Sequence, residues 1–447
     1  MLAVENPATG QVFDHVPDQG PPDVDAAVRV ATAAWTSWRS TDRTPFLQAC
    51  AAAITTGLAR MLTLEQGKPL REAEAELTRA KARFQYFADL VVEPLVLTDN
   101  EHERIEVRRR PLGPVAAITP WNFPVQLAIA KIAPALAAGN TVVLKPSPHT
   151  PLTTLHIGRL FAEVLPPGVL TVLTGGDDLG RHLVAHPGIR KVNFTGSVDT
   201  GSEVASVAAR DLKRLTLELG GNDPAIVLPD ADVAAIADKL FWSVFANCGQ
   251  ICMSVKRVYA VSDVHDALVE ALTERAKQVV VGDGLDPATH IGPVNNRPQL
   301  RRVTELVEQA GQHGARVLTG GPVDRPGNFF APAILTEARN GMRIVDEEQF
   351  GPALPIVRCS TVDEAVDLAN DTSFGLCGSV WGTDLDQAAD VAGRLECGTA
   401  WVNEHMRMDF GEPFAGSKSS GLGVSGGRWG IEGNTDPFVV HLPAGRH

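Results

Sequence analysis

Between residues 115 and 217 the chain alternates short apolar runs with longer helix-compatible stretches, and that spacing leaves few folds open. The runs Val115–Thr119, Thr141–Leu144, Leu170–Thr174, Lys191–Phe194 and Leu215–Leu217 read as strands. Stretches at about 126–138, 151–164, 179–185 and 199–208 fit helices. Strand, helix and strand at this spacing imply right-handed crossovers and a parallel sheet. Such a sheet takes its ligand beyond the carboxyl ends of its strands. The chemically informative segments cluster there: Pro120-Trp121-Asn122, Lys145-Pro146-Ser147, Thr195-Gly196-Ser197 and Glu218 before Gly220-Gly221.

The flanking regions extend this α/β pattern. Residues 23–38 have helical apolar spacing, and a second helical region runs from about Thr44 to Leu90. Leu95–Arg110 alternates apolar with charged residues and reads as a protruding ribbon. From about 222 to 420 a second α/β region carries helices near 232–246, 264–280, 297–313, 363–370 and 384–396. Its strands are expected at Ala225–Leu228, Val255–Val261, Ile356–Arg358 and Thr399–Asn403. A chain of 447 residues is long for one core, so roughly two or three domains are expected.

Charge and cysteine usage narrow the function. A net charge of −13 disfavours nucleic acid and anionic membranes as partners. No apolar run approaches the roughly 18 residues of a membrane span. No basic segment precedes an apolar core at the N-terminus, so a cytoplasmic location is expected. The six cysteines form neither a disulfide framework nor a zinc-ligand pattern, and no metal is expected.

Five segments can carry chemistry. Cys252 ends Asn247-Cys248-Gly249-Gln250-Ile251-Cys252, after an apolar helix. As a thiolate it is a nucleophile, which requires surroundings that lower its pKa; taken alone, a buried inert cysteine is the commoner case. Glu218, at a strand end beside two glycines, can act as a general base if burial raises its pKa. Taken alone it is equally a salt-bridged surface acid. Asn122, fixed between Pro120 and Pro124, can donate to an oxyanion or simply make a turn. Phe194-Thr195-Gly196-Ser197 leads from strand to helix and can cradle a pyrophosphate, although it lacks the G-x-G-x-x-G fingerprint. Lys145, directly after a strand, can bond ribose or phosphate oxygens or lie at the surface.

Together these segments resemble the aldehyde dehydrogenase superfamily, in order and through nearly the whole chain. Asn6-Pro7-Ala8-Thr9-Gly10, Glu65-Gln66-Gly67-Lys68-Pro69, Pro120-Trp121-Asn122-Phe123-Pro124, Phe194-Thr195-Gly196-Ser197 and Glu218-Leu219-Gly220-Gly221 each resemble a family segment. So do the segment ending at Cys252, Glu348-Gln349-Phe350-Gly351-Pro352 and Pro413-Phe414-Ala415-Gly416-Ser417-Lys418.

The resemblance implies an aldehyde dehydrogenase-like α/β fold. It would have a cofactor domain (1–92 and 112–220), a catalytic domain (221–420), and an oligomerisation element from the ribbon 93–111 and the tail 421–447, giving a homodimer or homotetramer. It implies oxidation of a small-molecule aldehyde to an acid with NAD, NADP remaining open. Cys252 would be the nucleophile, Glu218 the base, and Asn122 an oxyanion donor. Lys131 would belong to a proton relay. The cofactor would be held by Thr119, Pro120, Trp121, Lys145, Ser147, Pro148, Gly196, Ser197, Leu219, Gly220, Glu348 and Phe350. Phe123, Leu127, Ile251, Met253, Met406, Met408 and Phe414 would line the aldehyde tunnel; a lining so apolar favours a medium-sized unbranched or aromatic aldehyde. Arg407 would be the anchor if the substrate carries a carboxylate.

Three departures stand out. The strand that the family places before Asn6-Pro7 is expected to be missing, and the region Thr55–Leu58 is short. Pro148 stands where many NAD-preferring members carry a glutamate, with no cation in exchange. Val424-Ser425 stands where many carry Arg-Glu, so the relay lacks its second carboxylate. Two rival readings follow: a coenzyme A-acylating semialdehyde dehydrogenase, against which Glu218 argues, and a cofactor-binding protein that has lost activity.

Overall fold

The computed structural model describes residues 1–443; the last four residues of the expected tail element lie outside the described residues. The alternation at 115–217 builds a six-stranded sheet. Its spatial order is Gly421–Leu422, Arg214–Glu218, Lys191–Thr195, Pro114–Ile118, Thr141–Lys145 and Leu170–Val172. Every pairing is parallel except that of Gly421–Leu422, which runs antiparallel along Leu217 and Glu218. The central strands are buried on both faces, so they read as continuous apolar runs. One face is covered by the helices Thr44–Ala53, Leu70–Asp89, Pro124–Ala137 and Leu152–Ala162. The other carries Pro21–Trp38, Asp177–Ala185 and Val198–Ala209.

A seven-stranded sheet forms the second core. Its order is Arg316–Pro322, Phe330–Thr336, Ala353–Cys359, Val255–Val261, Asp223–Val227, Cys377–Trp381 and Thr399–Val402. Three of these strands escape the sequence reading, for physical reasons. Arg316–Pro322 is an exposed edge strand with two glycines, and Phe330–Thr336 contains Pro332. Cys377–Trp381 contains Gly378, where a Cβ would stand 2.8 Å from Leu395.

The N-terminus corrects one expectation. A strand does precede Pro7: Leu2–Asn6 pairs antiparallel with Gln11–Val16 around the Asn6–Gly10 turn. The ribbon Leu95–Asp99 and Glu103–Pro111 is present, and Thr435–Pro443 completes it as a third strand from the same chain. The intervening Gly421–Glu432 segment belongs with the six-stranded sheet, through its edge strand and through Ile431 in the core beneath it. Among the described residues no single helix is long and apolar enough to cross a membrane.

Candidate active site

The two sheets meet at a cleft of about 870 Å³ on the carboxyl-end side of the six-stranded sheet. A second cavity of about 180 Å³ lies beyond it. Cys252, Asn122 and Thr195 line both, so the candidate nucleophile Cys252 sits at the junction.

The loop that presents Cys252 is strained and held in place. The helix Val233–Phe245 ends in a tight turn where Asn247 (φ 49°) and Cys248 (φ 60°) occupy the left-handed region. Such residues persist where surroundings over-determine them. Gly249 follows at φ 70°, and a Cβ there would lie 2.4 Å from the Gly351 carbonyl oxygen. Buried Lys256 donates to the carbonyls of Gly249 (2.9 Å) and Ile251 (2.6 Å) and ties the loop to its strand.

The Asn122 loop is strapped from three sides. Its carbonyl accepts from Lys68 Nζ at 3.0 Å and from Asn247 Nδ2 at 3.1 Å. Lys68 is fully buried against Glu76 at 2.6 Å, and Glu76 accepts the first N–H groups of the helix Pro124–Ala137, from Val125 and Gln126. The Asn122 amide donates to the Gln250 carbonyl at 2.9 Å, which leaves its second N–H for a ligand. Sequence reasoning found Lys68 only as part of a segment; Glu76 lies in a helix whose charges look solvated.

Both oxygens of the Glu218 carboxylate are engaged. One oxygen accepts from the Ser425 hydroxyl. The other accepts from Thr195 Oγ1 at 3.0 Å and stands 3.6 Å from Lys131 Nζ. Burial pushes its pKa up, but Lys131, Ser425, Thr195 and Arg83 outweigh it and hold the carboxyl below its usual value. This corrects the expectation that burial raises it, because two cations share the pocket. Lys131 is itself pushed down by burial, with Glu218 opposing.

The thiol departs from expectation too. Burial first, then Glu348, Asp223 and Glu218, push the Cys252 thiol up to about 12. Burial likewise raises Glu348 to about 7, against Lys256, the Gly221 N–H (3.1 Å) and Arg302.

All twelve expected cofactor residues line the large cleft. Thr119 Oγ1 is buried with no partner, and the half-free Lys145 ammonium reaches only the Pro146 carbonyl, at 3.5 Å. Ser197 caps the helix Val198–Ala209, whose first turn faces the cleft. At Gly196 a Cβ would fall 2.4 Å from the Phe194 ring, and at Gly220 2.4 Å from Glu348 Oε2, so the backbone there must stay bare. Trp121 and Phe350 meet edge to face at 5.3 Å. These orphaned donors and bare backbone fit a dinucleotide. Elsewhere in its lining the cleft holds two cations, Lys145 and Arg181, together with Asp177, and His149, whose ring burial keeps towards the neutral form.

In the smaller cavity all seven expected apolar residues are present, and Arg407 is not. Arg407 is exposed and engages Trp401 through its backbone carbonyl. The cations of the cavity are Arg79 and Arg83, one turn apart on the helix Leu70–Asp89. Arg79 donates to the Met408 carbonyl; burial pushes Arg83 down to about 10, opposed by Glu218. Their i, i+4 spacing was visible in the sequence, but nothing there separated them from the solvent-facing charges of the same helix. Among the described residues no group of His, Cys, Asp and Glu is placed to hold a metal ion.

A cysteine at the junction of a dinucleotide-sized cleft and a smaller cavity fits a cofactor-dependent oxidoreductase. The chain belongs to the aldehyde dehydrogenase family, whose pattern it matches over residues 1–439. It is 37% identical to the NADP(+) succinate-semialdehyde dehydrogenase GabD of Escherichia coli, covering 96% of this chain and 92% of that one. It is 38% identical to the 3-sulfolactaldehyde dehydrogenase of Pseudomonas putida, covering 96% and 91%. Among solved structures, an NADP-dependent enzyme of E. coli superposes with a TM-score of 0.96 at 36% identity, over 99% of this chain and 94% of that one. The betaine aldehyde dehydrogenase of Staphylococcus aureus in complex with NAD+ gives 0.95 at 32% identity, over 100% and 92%. The protein is therefore an NAD(P)-dependent dehydrogenase that oxidises an aldehyde to a carboxylic acid.

Proposed function

We propose that Cys252 forms the covalent bond to the aldehyde, that Asn122 holds the oxyanion, and that Glu218 activates the water that releases the acid. The observation that carries this reading is the convergence of Cys252, Asn122 and Thr195 on both cavities, with Thr195 bonded to Glu218.

The Cys252 thiol gives up its proton as sulfur attacks the carbonyl carbon. That proton leaves to solvent through the open cleft, so Glu218, ionised and lining the same cavity, stays free for the hydrolytic half. The free Asn122 N–H and the Cys252 backbone N–H receive the oxyanion; one such donor contributes about 3–4 kcal/mol in comparable sites. The cofactor, when bound, supplies the hydride acceptor. Lys145 and Glu348 would hold its riboses, and Ser197 its pyrophosphate. The Cys252 thioester is then open to water, which Glu218 deprotonates. Cys252→Ala abolishes turnover. Glu218→Gln leaves a burst of reduced cofactor while steady turnover collapses, as quenched-flow absorbance reads. An undiminished steady rate in Glu218→Gln defeats the base assignment.

The substrate we infer is a small aldehyde with an anionic far end. A cavity of about 180 Å³ is tight beside the roughly 300–1,000 Å³ of drug-sized sites. That favours a few-atom aldehyde over an aromatic one. Arg79 and Arg83 are half-buried in the wall, whereas the acids Asp409 and Glu412 are exposed at its rim. The relatives named for succinate semialdehyde and sulfolactaldehyde bear anionic groups, which supports the same class. Lys145 and Arg181, which line the same cleft as Pro148, favour acceptance of a 2′-phosphate, so NADP is read as a cofactor alongside NAD. The catalytic half is read as the seven-stranded unit and the cofactor half as the six-stranded one. The ribbon leaves Leu95, Val96, Leu97 and Val439 exposed, which supports self-association of this chain through it.

A further inference from the structure

Ser425 stands in a turn that closes over the base. Its backbone N–H and carbonyl exchange hydrogen bonds with Phe414, each 2.8 Å, so the Cα is pinned whatever the side chain. Gly426 follows at φ 79°, where a Cβ would lie 2.1 Å from the Glu412 carbonyl oxygen. The start of the same loop, Gly421–Leu422, pairs with Glu218 and Leu217. The Ser425 loop is thus tied at its start to the strand of Glu218 and at Ser425 itself to Phe414, and the side-chain bond between Ser425 and Glu218 is the contact free to open.

We propose that Ser425 is a positioning residue: its hydroxyl latches the Glu218 carboxylate in a docked arrangement between Thr195 and Lys131, from which the carboxylate is released to act on water. The geometry supports a latch because both carboxylate oxygens are engaged. Ser425 takes one, Thr195 and Lys131 the other. A hydroxyl that donates stabilises the ionised form. A carboxylate at position 425 would repel it.

The charged groups facing Glu218 come from several elements. Lys131 comes from the helix Pro124–Ala137, Arg83 from Leu70–Asp89, and Lys191 from the neighbouring strand. Cys252 faces it across the cavity, with Arg79, Asp409 and Glu412 towards the rim. Three cations and two neutral donors, Ser425 and Thr195, surround a single inner carboxylate. The base is therefore kept ionised into mildly acidic solution, at the cost of basicity, since a weaker conjugate base activates water less well.

The inference rests on Glu218 being the base. The experiment is a single turnover with saturating cofactor, in which decay of the acyl-enzyme is followed by mass spectrometry across the acid and neutral range. Ser425→Ala moves the acid limb of the decay rate to higher pH. A displacement of about one unit is a tenfold loss well below the limb. Ser425→Glu moves it further in the same direction, and Ser425→Thr restores it. An acid limb shared by all four enzymes overturns the latch, and so does an equal displacement in the Thr and Ala variants. Glu218→Gln separates the two failures. If its acyl-enzyme decays at the normal rate, the base assignment is wrong. If it persists while the Ser425 variants keep the original limb, only the latch is wrong.

Discussion

The oxyanion side of the site and the base side are built by opposite means. Asn122 is held through its backbone: Lys68 and Asn247 grip its carbonyl, and Glu76 caps the helix behind it. Glu218 is held by side chains alone beyond its strand: Ser425, Thr195 and Lys131. Backbone straps fix a donor where charge develops and need no rearrangement during the reaction. Side-chain contacts can be exchanged on the rotamer timescale. That suits the role proposed for Glu218, which must approach water in the hydrolytic half-reaction. The straps thus favour rigidity on the proposed oxyanion side and adjustability on the proposed base side.

The strongest challenge to the rigid side is to cut its buried ion pair. Lys68 and Glu76 have side chains with no exposure, 2.6 Å apart. Lys68→Met leaves Glu76 buried without its cation, and removing one partner of such a pair costs about 3–5 kcal/mol. The melting temperature falls, and the acylation burst slows at temperatures where the variant is still folded. A normal melting curve and burst in Lys68→Met would show that Asn247 and Glu76 suffice to hold the loop.

How much of this was legible in the sequence follows the same division. The six-stranded sheet was readable because buried parallel strands are continuous apolar runs between helices. Cys252, Glu218 and Asn122 could be singled out because fixed local segments carry them; their roles remain proposals. What was not readable depends on side chains that meet only in the fold. Nothing local to Arg79 and Arg83 distinguishes them from their solvent-facing neighbours, and Arg407 drew the anchoring role only by its place among the tunnel methionines. The direction of the Glu218 shift was misread because burial is visible in a sequence pattern, whereas Lys131 and Arg83 arrive from two other helices.

Arg83 sharpens the adjustable side. It lines the aldehyde cavity and also lowers the Glu218 carboxyl. Arg83→Met therefore has two separable effects. The KM for an anionic semialdehyde rises roughly tenfold or more while that for an uncharged aldehyde of equal length hardly moves, since a hydrogen bond to a charged group contributes about 1.5–3 kcal/mol. The acid limb of acyl-enzyme decay shifts to higher pH for both substrates. If both aldehydes lose equally in KM, the anion-binding role fails, whereas the limb still reports on Glu218.

The smallest expected effect falls between the two sides, at the thiol. Among the charges acting on Cys252, Glu348 is the strongest, and it raises the thiol pKa only while ionised. Its own carboxyl titrates near 7. Below that pH wild type and Glu348→Gln should therefore alkylate at the same rate. As pH rises through about 7, wild-type Glu348 ionises and opposes the thiolate, so the variant pulls ahead. Half a unit to one unit in thiol pKa gives roughly three- to tenfold faster labelling by iodoacetamide. Peptide mass spectrometry at Cys252 in the cofactor-free enzyme reads this directly. A ratio constant across the whole pH range would mean that Glu348 acts on Cys252 through packing of the loop and not through its charge.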